Sequence, residues 1–338
     1  MRSVPFINEN ILKQIIPVLI AVILVAILLT QISVKDIITA FLHINLLCVV
    51  AGFVLYVGTD ALRAWRFNIL LNKEVSIKDL FLIECLHSML VNLLPARTGE
   101  LSYIYLLEKE HGKSTGVGLA TLIVTRIFDG IFLAISFIVF YFLIRDLPLI
   151  FQNIMMVVPV FLVFMVLVLI MVLFYGSNCL KILNKVTRHL NGKIIHIGDF
   201  IQKKGQETVD SIDTFKTGKT GLPPSVVIIT FGIWVSTFAF FYLLALSIDL
   251  PLNTLQILFA SGFALFTLIL PVQGIGGFGT MEGGWALGFI AVGLSSEMAI
   301  SSGFVFHIIN LSFALILGAF GYVLIRISKQ LSHTHKEV

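Results

Sequence analysis

Long apolar runs, broken at intervals by short polar segments, dominate this 338-residue chain. Six runs approach or exceed the roughly 20 residues that a helix needs to cross a bilayer. Helices are the expected spanning elements, because a closed barrel would show short segments of alternating polarity. The runs predict spans at 11–30, 44–67, 115–143, 149–175, 224–248 and 299–326.

Two further apolar stretches do not fit as full crossings, and each ends at a proline. One is residues 80–95, which end at Pro95, and the other is residues 254–271, which end at Pro271. A glycine-containing turn follows each proline, and helix-like sequence then resumes. We therefore expect two re-entrant hairpins, at 80–112 and 253–296, each of which enters and leaves the membrane on one side.

The distribution of positive charge favours this hairpin interpretation. The connection at 176–222 carries eight Lys and Arg residues against four acids, so the positive-inside rule predicts that it is cytoplasmic. Both termini then become cytoplasmic, as do 19 of the 23 Lys and Arg residues. The other four are Lys35 and Arg145 outside, and Arg97 and Arg126 at membrane depth. Counting either hairpin as a single crossing would place several basic connections on the outer side of the membrane.

The same topology divides a single transmembrane domain into two halves, 1–145 and 146–338. Each half reads span, span, hairpin, span, and the halves begin on opposite sides of the membrane. Such inverted repeats are common in transporters with a central substrate site. The predicted fold class is an all-α polytopic membrane protein with about six full crossings and two re-entrant hairpins, and an inverted repeat is a further hypothesis.

Composition excludes several classes of function. Hydrophobic residues make up 58% of the chain and charged residues 12%, which is outside the range of soluble domains. The three cysteines have no paired spacing, so we expect no disulfide framework, no metal site and no cofactor. Gly274, Gly276 and Gly279 fit G-x-G-x-x-G, but no strand precedes them, so a nucleotide site is rejected.

The turn "NLLPARTGE", residues 92–100, places charges in an otherwise apolar hairpin. Pro95 is expected to end the entering helix, and Gly99 to take a positive φ. Irregular backbone at this depth is tolerated where it is packed in protein or faces water. Arg97 and Glu100 are therefore expected to line a cavity, where the guanidinium can grip a phosphate. A structural ion pair and a turn at the membrane interface are the alternatives.

Other polar side chains in apolar segments are candidates for the same cavity. Arg126 and Asp129 lie three residues apart on one face of a long span, at a depth where ionisable groups are costly. The entering half-helix has a polar stripe, of which Glu84 and Asn92 are site candidates, while His87 is expected to pack between helices. We expect Arg63 and Arg66, which follow Asp60 near the end of the second span, to snorkel to the interface.

The turn of the second hairpin, "PVQGIGGFGTMEGG", supplies a further set of candidates. Its glycines are expected to allow tight backbone and close helix contact, and its amides could receive an anionic oxygen. His307 and Asn310, on the last span, are expected to hydrogen-bond across helices. Gln273 and Glu282 are the candidate binding residues of this turn, and the structural positions are Pro271, Gly274, Gly276, Gly277 and Gly279.

The segments "NLLPARTGELSYIYLL", "TRIFDG" and "LPVQGIGGFGTMEGG" together resemble a family. It comprises flippase-like membrane proteins related to the transmembrane region of lysylphosphatidylglycerol synthase, and the resemblance covers nearly the whole chain. It implies a domain that moves a phospholipid or isoprenoid-linked lipid between leaflets. It carries roles over to Pro95, Arg97, Gly99, Glu100, Arg126 and Asp129, and also to Gly276, Gly277, Gly279 and Glu282. One departure is Tyr103, where members of the family often have another arginine.

Our leading hypothesis is a lipid flippase or scramblase of the cytoplasmic membrane, whose partner is an anionic lipid or a lipid-linked substrate. A membrane-embedded enzyme acting on lipid-linked envelope precursors is the alternative, and a scaffold for a separate envelope-synthesis enzyme is a third. We do not expect this chain to aminoacylate lipid, because no aminoacyl-transferase domain follows its last span. No nucleic acid is expected as a partner, and a homo-oligomer is left open.

Overall fold

The computed structural model describes residues 25–30, 34–42, 44–144, 147–187, 205–210, 224–269 and 273–334. No strand occurs among these residues, and the predicted all-α fold is confirmed. The helices with defined bounds are α1 (Val34–Leu42), α2 (Leu46–Leu70), α3 (Ile77–Leu93), α4 (Leu101–His111), α5 (Thr115–Leu143), α6 (Leu149–Thr187), α7 (Pro224–Ser247), α8 (Thr254–Ile269), α9 (Thr280–Ala291) and α10 (Ser296–Thr334).

Five of the described helices are long and apolar enough to cross a bilayer, as expected for a polytopic membrane protein. They are α2, α5, α6 as far as Gly176, α7, and α10 as far as Ser328. Each corresponds to a span predicted from the sequence. The predicted span at 11–30 lies outside the described residues except for 25–30, of which 25–29 are helical.

Four shorter helices form two helix–turn–helix units in the positions predicted for the hairpins. They contain 17, 11, 16 and 12 residues in α3, α4, α8 and α9. At 1.5 Å per residue the longest measures about 26 Å, which is less than the roughly 30 Å of a hydrocarbon core. We call α3 with α4 the first hairpin and α8 with α9 the second; their re-entry on one side of the membrane stays a prediction.

Helix packing has the pattern that two related halves would give. α2 packs against α7, α3 packs against α10, and α8 packs against α5. The second helix of each hairpin contacts the span that follows it, since α4 contacts α5 and α9 contacts α10. α2 and α7 occupy equivalent positions in the two halves. The α3–α10 contact is equivalent to the α8–α5 contact, and the α4–α5 contact is equivalent to the α9–α10 contact. This arrangement supports the inverted-repeat hypothesis.

Apolar side chains fill the interior and also cover the outside. The larger core joins α5, α6, α7, α8, α9 and α10, and in it the rings of Trp285 and Phe306 stack with centroids 4.2 Å apart. A smaller core joins α2, α3, α4 and α5. Large apolar side chains such as Phe142, Val160 and Ile228 are exposed on the spans, where a bilayer provides their apolar surroundings.

The hairpin topology predicts which connections share a side of the membrane. Cysteines replacing Lys78 and Lys109, at the outer ends of the first hairpin, should both react with an impermeant maleimide from the cytoplasmic side in a cysteine-free background. Cysteines replacing Pro251 and Glu297, which flank the second hairpin, should both react from the opposite side. Labelling of Lys78→Cys and Lys109→Cys from different sides would show that the first hairpin crosses the membrane.

Candidate functional site

The turns of the two hairpins meet inside the protein. The Ala96 backbone N–H donates to the carbonyl oxygen of Gln273 at 2.9 Å. Beside this contact, the Asn310 side-chain amide on α10 donates to Asn92 Oδ1 on α3 at 3.2 Å. A cavity of about 180 Å³ lies where the turns and the spans converge. At about 30 Å³ per water molecule, this is room for roughly six waters or for a small anionic group with some of its hydration.

The first turn holds its arginine in an uncommon backbone conformation. The helix α3 ends before Pro95, as predicted, and a 3₁₀ segment covers Pro95–Glu100. Ala96 and Arg97 have φ values of 51° and 56°, in the left-handed region that non-glycine residues seldom occupy. The expectation that Gly99 would take the positive φ is wrong. Gly99 instead allows close approach, because a Cβ there would collide with the Leu90 backbone.

The second turn has the glycine chemistry that its sequence predicts. Gly276, Gly277 and Gly279 have φ values of 66°, 74° and 81°, which side chains with a Cβ rarely adopt. The turn is tied to the last span, since His307 on α10 reaches both Glu282 Oε1 and the Gly276 carbonyl oxygen. His307 thus bonds across helices, as expected, and it also lines the cavity. Pro271 lies outside the described residues.

Five charged side chains form a continuous ion-pair chain along one wall of the cavity, which we call the arginine cluster. Glu100 Oε1 lies 2.7 Å from Arg97 Nη2 and 3.0 Å from Arg126 Nη2. Arg126 Nη1 lies 3.4 Å from Asp129 Oδ2, and Asp129 binds Arg66 beyond it. Three guanidinium groups face two carboxylates here, so the cluster carries one surplus positive charge.

Arg66 is the member of this cluster that the sequence did not predict. Its side chain is buried rather than snorkelling, and its two terminal nitrogens bind both Asp129 oxygens at 2.7 and 3.2 Å. Thr230 and Trp234 on α7 complete the contacts, since Thr230 accepts from Arg66 and the Trp234 indole donates to Asp129. A sequence signal existed, because Asp60, Arg63 and Arg66 recur at three-residue intervals near one face of a mainly apolar helix. Only the fold brings Arg66 to Asp129.

A second group on the cavity wall has the opposite balance, and we call it the acidic cluster. Arg63 Nη1 lies 3.2 Å from Asp60 Oδ1 and 3.8 Å from Glu84 Oε1, so two carboxylates share one guanidinium. Ser88 also donates to Asp60 Oδ1. Asp60 Oδ2 and Glu84 Oε2 are buried and have no hydrogen-bond partner among the described residues. Buried polar atoms of this kind require water or a ligand, because leaving them unpaired is costly.

The candidates chosen from the sequence fall in one place. Six of the eight predicted binding residues line the cavity: Glu84, Asn92, Arg97, Arg126, Asp129 and Gln273. The remaining two, Glu100 and Glu282, lie behind it and bind cavity-lining cations or the His307 imidazole. Arg63, Arg66 and His87, which were assigned to the interface or to packing, line it as well. Tyr103 is a core residue whose ring stacks on that of Phe67, and it adds no positive charge to the cavity.

Comparison with known proteins identifies a family for this chain. The family model described as the lysylphosphatidylglycerol synthase TM region matches residues 14–318. The chain belongs to this family. No curated protein and no solved structure matched it. The match covers both hairpins and all the cavity-lining residues named above, and it confirms the resemblance seen in the sequence.

The Arg66–Asp129 pair should be a stability determinant that can be tested by substitution. Asp129→Ala leaves Arg66 buried without its main partner, an uncompensated charge that typically costs about 3–5 kcal/mol. We expect a clear fall in melting temperature in detergent or nanodiscs. The double variant Arg66→Met with Asp129→Leu should recover part of the loss, because an apolar pair replaces the ionic one.

Lys113→Ala is the matched control, since it breaks the more exposed Lys113–Glu74 pair. Exposed pairs contribute little, so this variant should melt close to the wild type. An Asp129→Ala protein as stable as the wild type would contradict the role of the buried pair.

Proposed function

We propose that this protein moves a phospholipid or polyprenyl-phosphate-linked lipid between the leaflets of the cytoplasmic membrane. The headgroup phosphate binds Arg97 and Arg126 in the cavity, while the acyl or polyprenyl chains stay in apolar surroundings. The observation that carries this proposal is the surplus of positive charge in the arginine cluster at the meeting point of two broken helices. A phosphodiester carries one negative charge and would balance that surplus.

The shared position of Glu100 supports an exchange of partners on binding. This carboxylate bridges two guanidinium groups, with distances of 2.7 Å to Arg97 and 3.0 Å to Arg126. Arginine offers a planar fork of donors that matches phosphate oxygens as well as carboxylate oxygens. A phosphate can therefore replace Glu100 as the hydrogen-bond acceptor, and both arginines stay paired.

The acidic cluster narrows the class of headgroup. Glu84 lines the cavity, and Asp60 lies directly behind it with an unpartnered oxygen. Hydroxyl or ammonium groups are the donors that such oxygens accept. The combination favours a headgroup that carries hydroxyl or amine donors beside its phosphate over a bare phosphate.

An apolar groove beside the cavity supports a lipid over a water-soluble anion. It measures about 750 Å³ and lies between α5, α7 and the start of α8, lined by residues such as Phe128, Phe132 and Phe238. Thr230 joins the two spaces, because it lines the groove and accepts a hydrogen bond from Arg66. From Phe128 to Val139 the groove extends about 17 Å along α5, roughly the length of an acyl chain.

Orientation and energy supply complete the proposal. We infer that both termini and the 176–222 connection face the cytoplasm, following the distribution of Lys and Arg residues. The sequence shows no ATP motif, so movement would draw on an ion gradient or on the supply of lipid. Homo-oligomers and a separate envelope-synthesis enzyme remain proposed partners.

Reconstitution tests the proposal directly. Proteoliposomes containing fluorescent phosphatidylglycerol should show accelerated movement of the label between leaflets, measured by quenching from outside. Arg97→Ala and Arg126→Ala each remove a charge-assisted contact to phosphate, so we expect the rate to fall about tenfold to a hundredfold. Arg97→Lys should also be impaired, because lysine keeps the charge but loses the planar fork.

Lys113→Ala, which removes a partly exposed cation outside the cavity, is the control and should keep the wild-type rate. Unchanged rates in Arg97→Ala and Arg126→Ala would contradict the assignment of these residues. Mass spectrometry of the same lipids tests the enzymatic alternative, since a membrane-embedded enzyme would leave a chemically altered lipid and a flippase would not.

A further inference from the structure

The two halves of the chain place different chemistry at equivalent positions. Arg126 is the twelfth residue of α5, and His307 is the twelfth residue of α10. Each contacts a glutamate of the hairpin in its own half, Glu100 for Arg126 and Glu282 for His307. A permanently charged pair in the first half therefore corresponds to a pair in the second half whose cation is titratable.

Both ring nitrogens of His307 face hydrogen-bond acceptors. Nδ1 lies 2.7 Å from Glu282 Oε1, and Nε2 lies 2.8 Å from the Gly276 carbonyl oxygen. The second carboxylate oxygen, Oε2, accepts from the Gly279 N–H at 2.7 Å. Both side chains are buried, with 2% and 0% of their surface exposed.

This geometry fixes the number of protons in the pair. A neutral imidazole donates from one nitrogen only, so beside an ionised Glu282 it would turn a lone pair toward an acceptor oxygen. Two arrangements avoid that repulsion, namely an imidazolium beside a carboxylate or a neutral imidazole beside a protonated carboxyl. Each holds one proton more than a neutral histidine and an ionised glutamate.

We propose that Glu282 and His307 together form a proton-binding site that couples movement of the lipid headgroup to movement of a proton. This inference rests on the proposed function, and it adds the ion that drives or accompanies transport. The ligand is a proton, held between Nδ1 and Oε1 or on either atom. On release, that N–H or O–H bond breaks and the proton passes to water in the cavity.

Release of the proton is linked to the second turn. Without it, His307 can donate either to Glu282 or to the Gly276 carbonyl, so one of the two hydrogen bonds is lost. The Gly276 bond joins the turn to α10, and the same turn meets the first turn through the Ala96–Gln273 contact. His307, Gly276 and Gly277 all line the cavity, so the proton and the headgroup share one compartment.

Charged or titratable groups also occur on helices packed against α10, among the described residues. Among the helices packed against α10, α9 contributes Glu282 itself, and α7 carries no acidic or basic residue. Asn310, one turn along α10, is uncharged. The charged or titratable groups of the other packed helices are Lys35 and Asp36 on α1, Cys48, Tyr56, Asp60, Arg63 and Arg66 on α2, and Lys78, Asp79, Glu84, Cys85 and His87 on α3.

Glu282→Gln is the decisive variant because it can keep every hydrogen bond. The glutamine amide can donate to His307 Nδ1 while its oxygen accepts from Gly279, which reproduces the proton-loaded state without a removable proton. Ser302→Ala is the matched control, since it deletes a buried α9–α10 hydrogen bond from Trp285 without altering the proton site.

The experiment imposes a pH difference of one unit across proteoliposomes and measures the steady-state distribution of labelled phosphatidylglycerol. One proton per lipid should give about a tenfold ratio between leaflets in the wild type and in Ser302→Ala. Glu282→Gln should show no response to the gradient. Lipid movement that ignores the gradient in the wild type would overturn the coupling and leave the proposed function standing, whereas no lipid movement in the wild type would overturn the proposed function.

A readout without transport tests the proton site itself. At neutral pH, ¹⁵N NMR of His307 should show an imidazolium, assigned with His307→Gln, or infrared spectra should show a carboxylic acid band that Glu282→Gln removes. Either result supports the site. A neutral His307 beside an ionised Glu282 would overturn it whatever the transport assay shows.

Discussion

A helix that breaks inside a bilayer must find partners within the protein for the polar groups it frees, because lipid offers none. In this chain each of the two breaks provides the partner for the other, through the hydrogen bond from Ala96 to Gln273. The site is arranged around that contact, since Arg97 directly follows Ala96, Gly276 lies three residues after Gln273, and both line the cavity. The cavity is the space left where these turns and the spans converge.

Charge inside this space supports the proposed ligand binding more than it supports a role in stability. Removing one partner of a buried ion pair is costly, but replacing both partners by apolar residues of the same shape is often neutral or stabilising, so stability alone does not explain such a pair. The arginine cluster nevertheless keeps three guanidinium groups together, one of them on a residue with a strained backbone at Arg97. Strain and unbalanced charge at one site are typical of functional positions. The proton site proposed at His307 and Glu282 extends the same reasoning to the second half.

Much of the architecture could be predicted from the sequence, because apolar length and proline position are local signals. The described spans, the break before Pro95 and the glycine turn at Gly276 all follow from them. The sequence did not show where the Arg66 side chain lies, since the sequence near a helix end is the same whether an arginine snorkels to the interface or turns inward to Asp129. The positive φ expected of Gly99 is wrong for a similar reason. The role of Gly99 is close contact with the Leu90 backbone, which depends on tertiary packing rather than on turn type.

The central claim is that the cavity binds the phosphate of a lipid. Native mass spectrometry of the protein released from gentle detergent tests it most directly, because a bound lipid appears as a defined mass increment that fragmentation can identify. We predict a phosphate-containing lipid on the wild type that is depleted from the Arg97→Ala, Arg126→Ala double variant and retained by Lys113→Ala. Equal retention by all three proteins, or bound lipids without phosphate, would contradict the account.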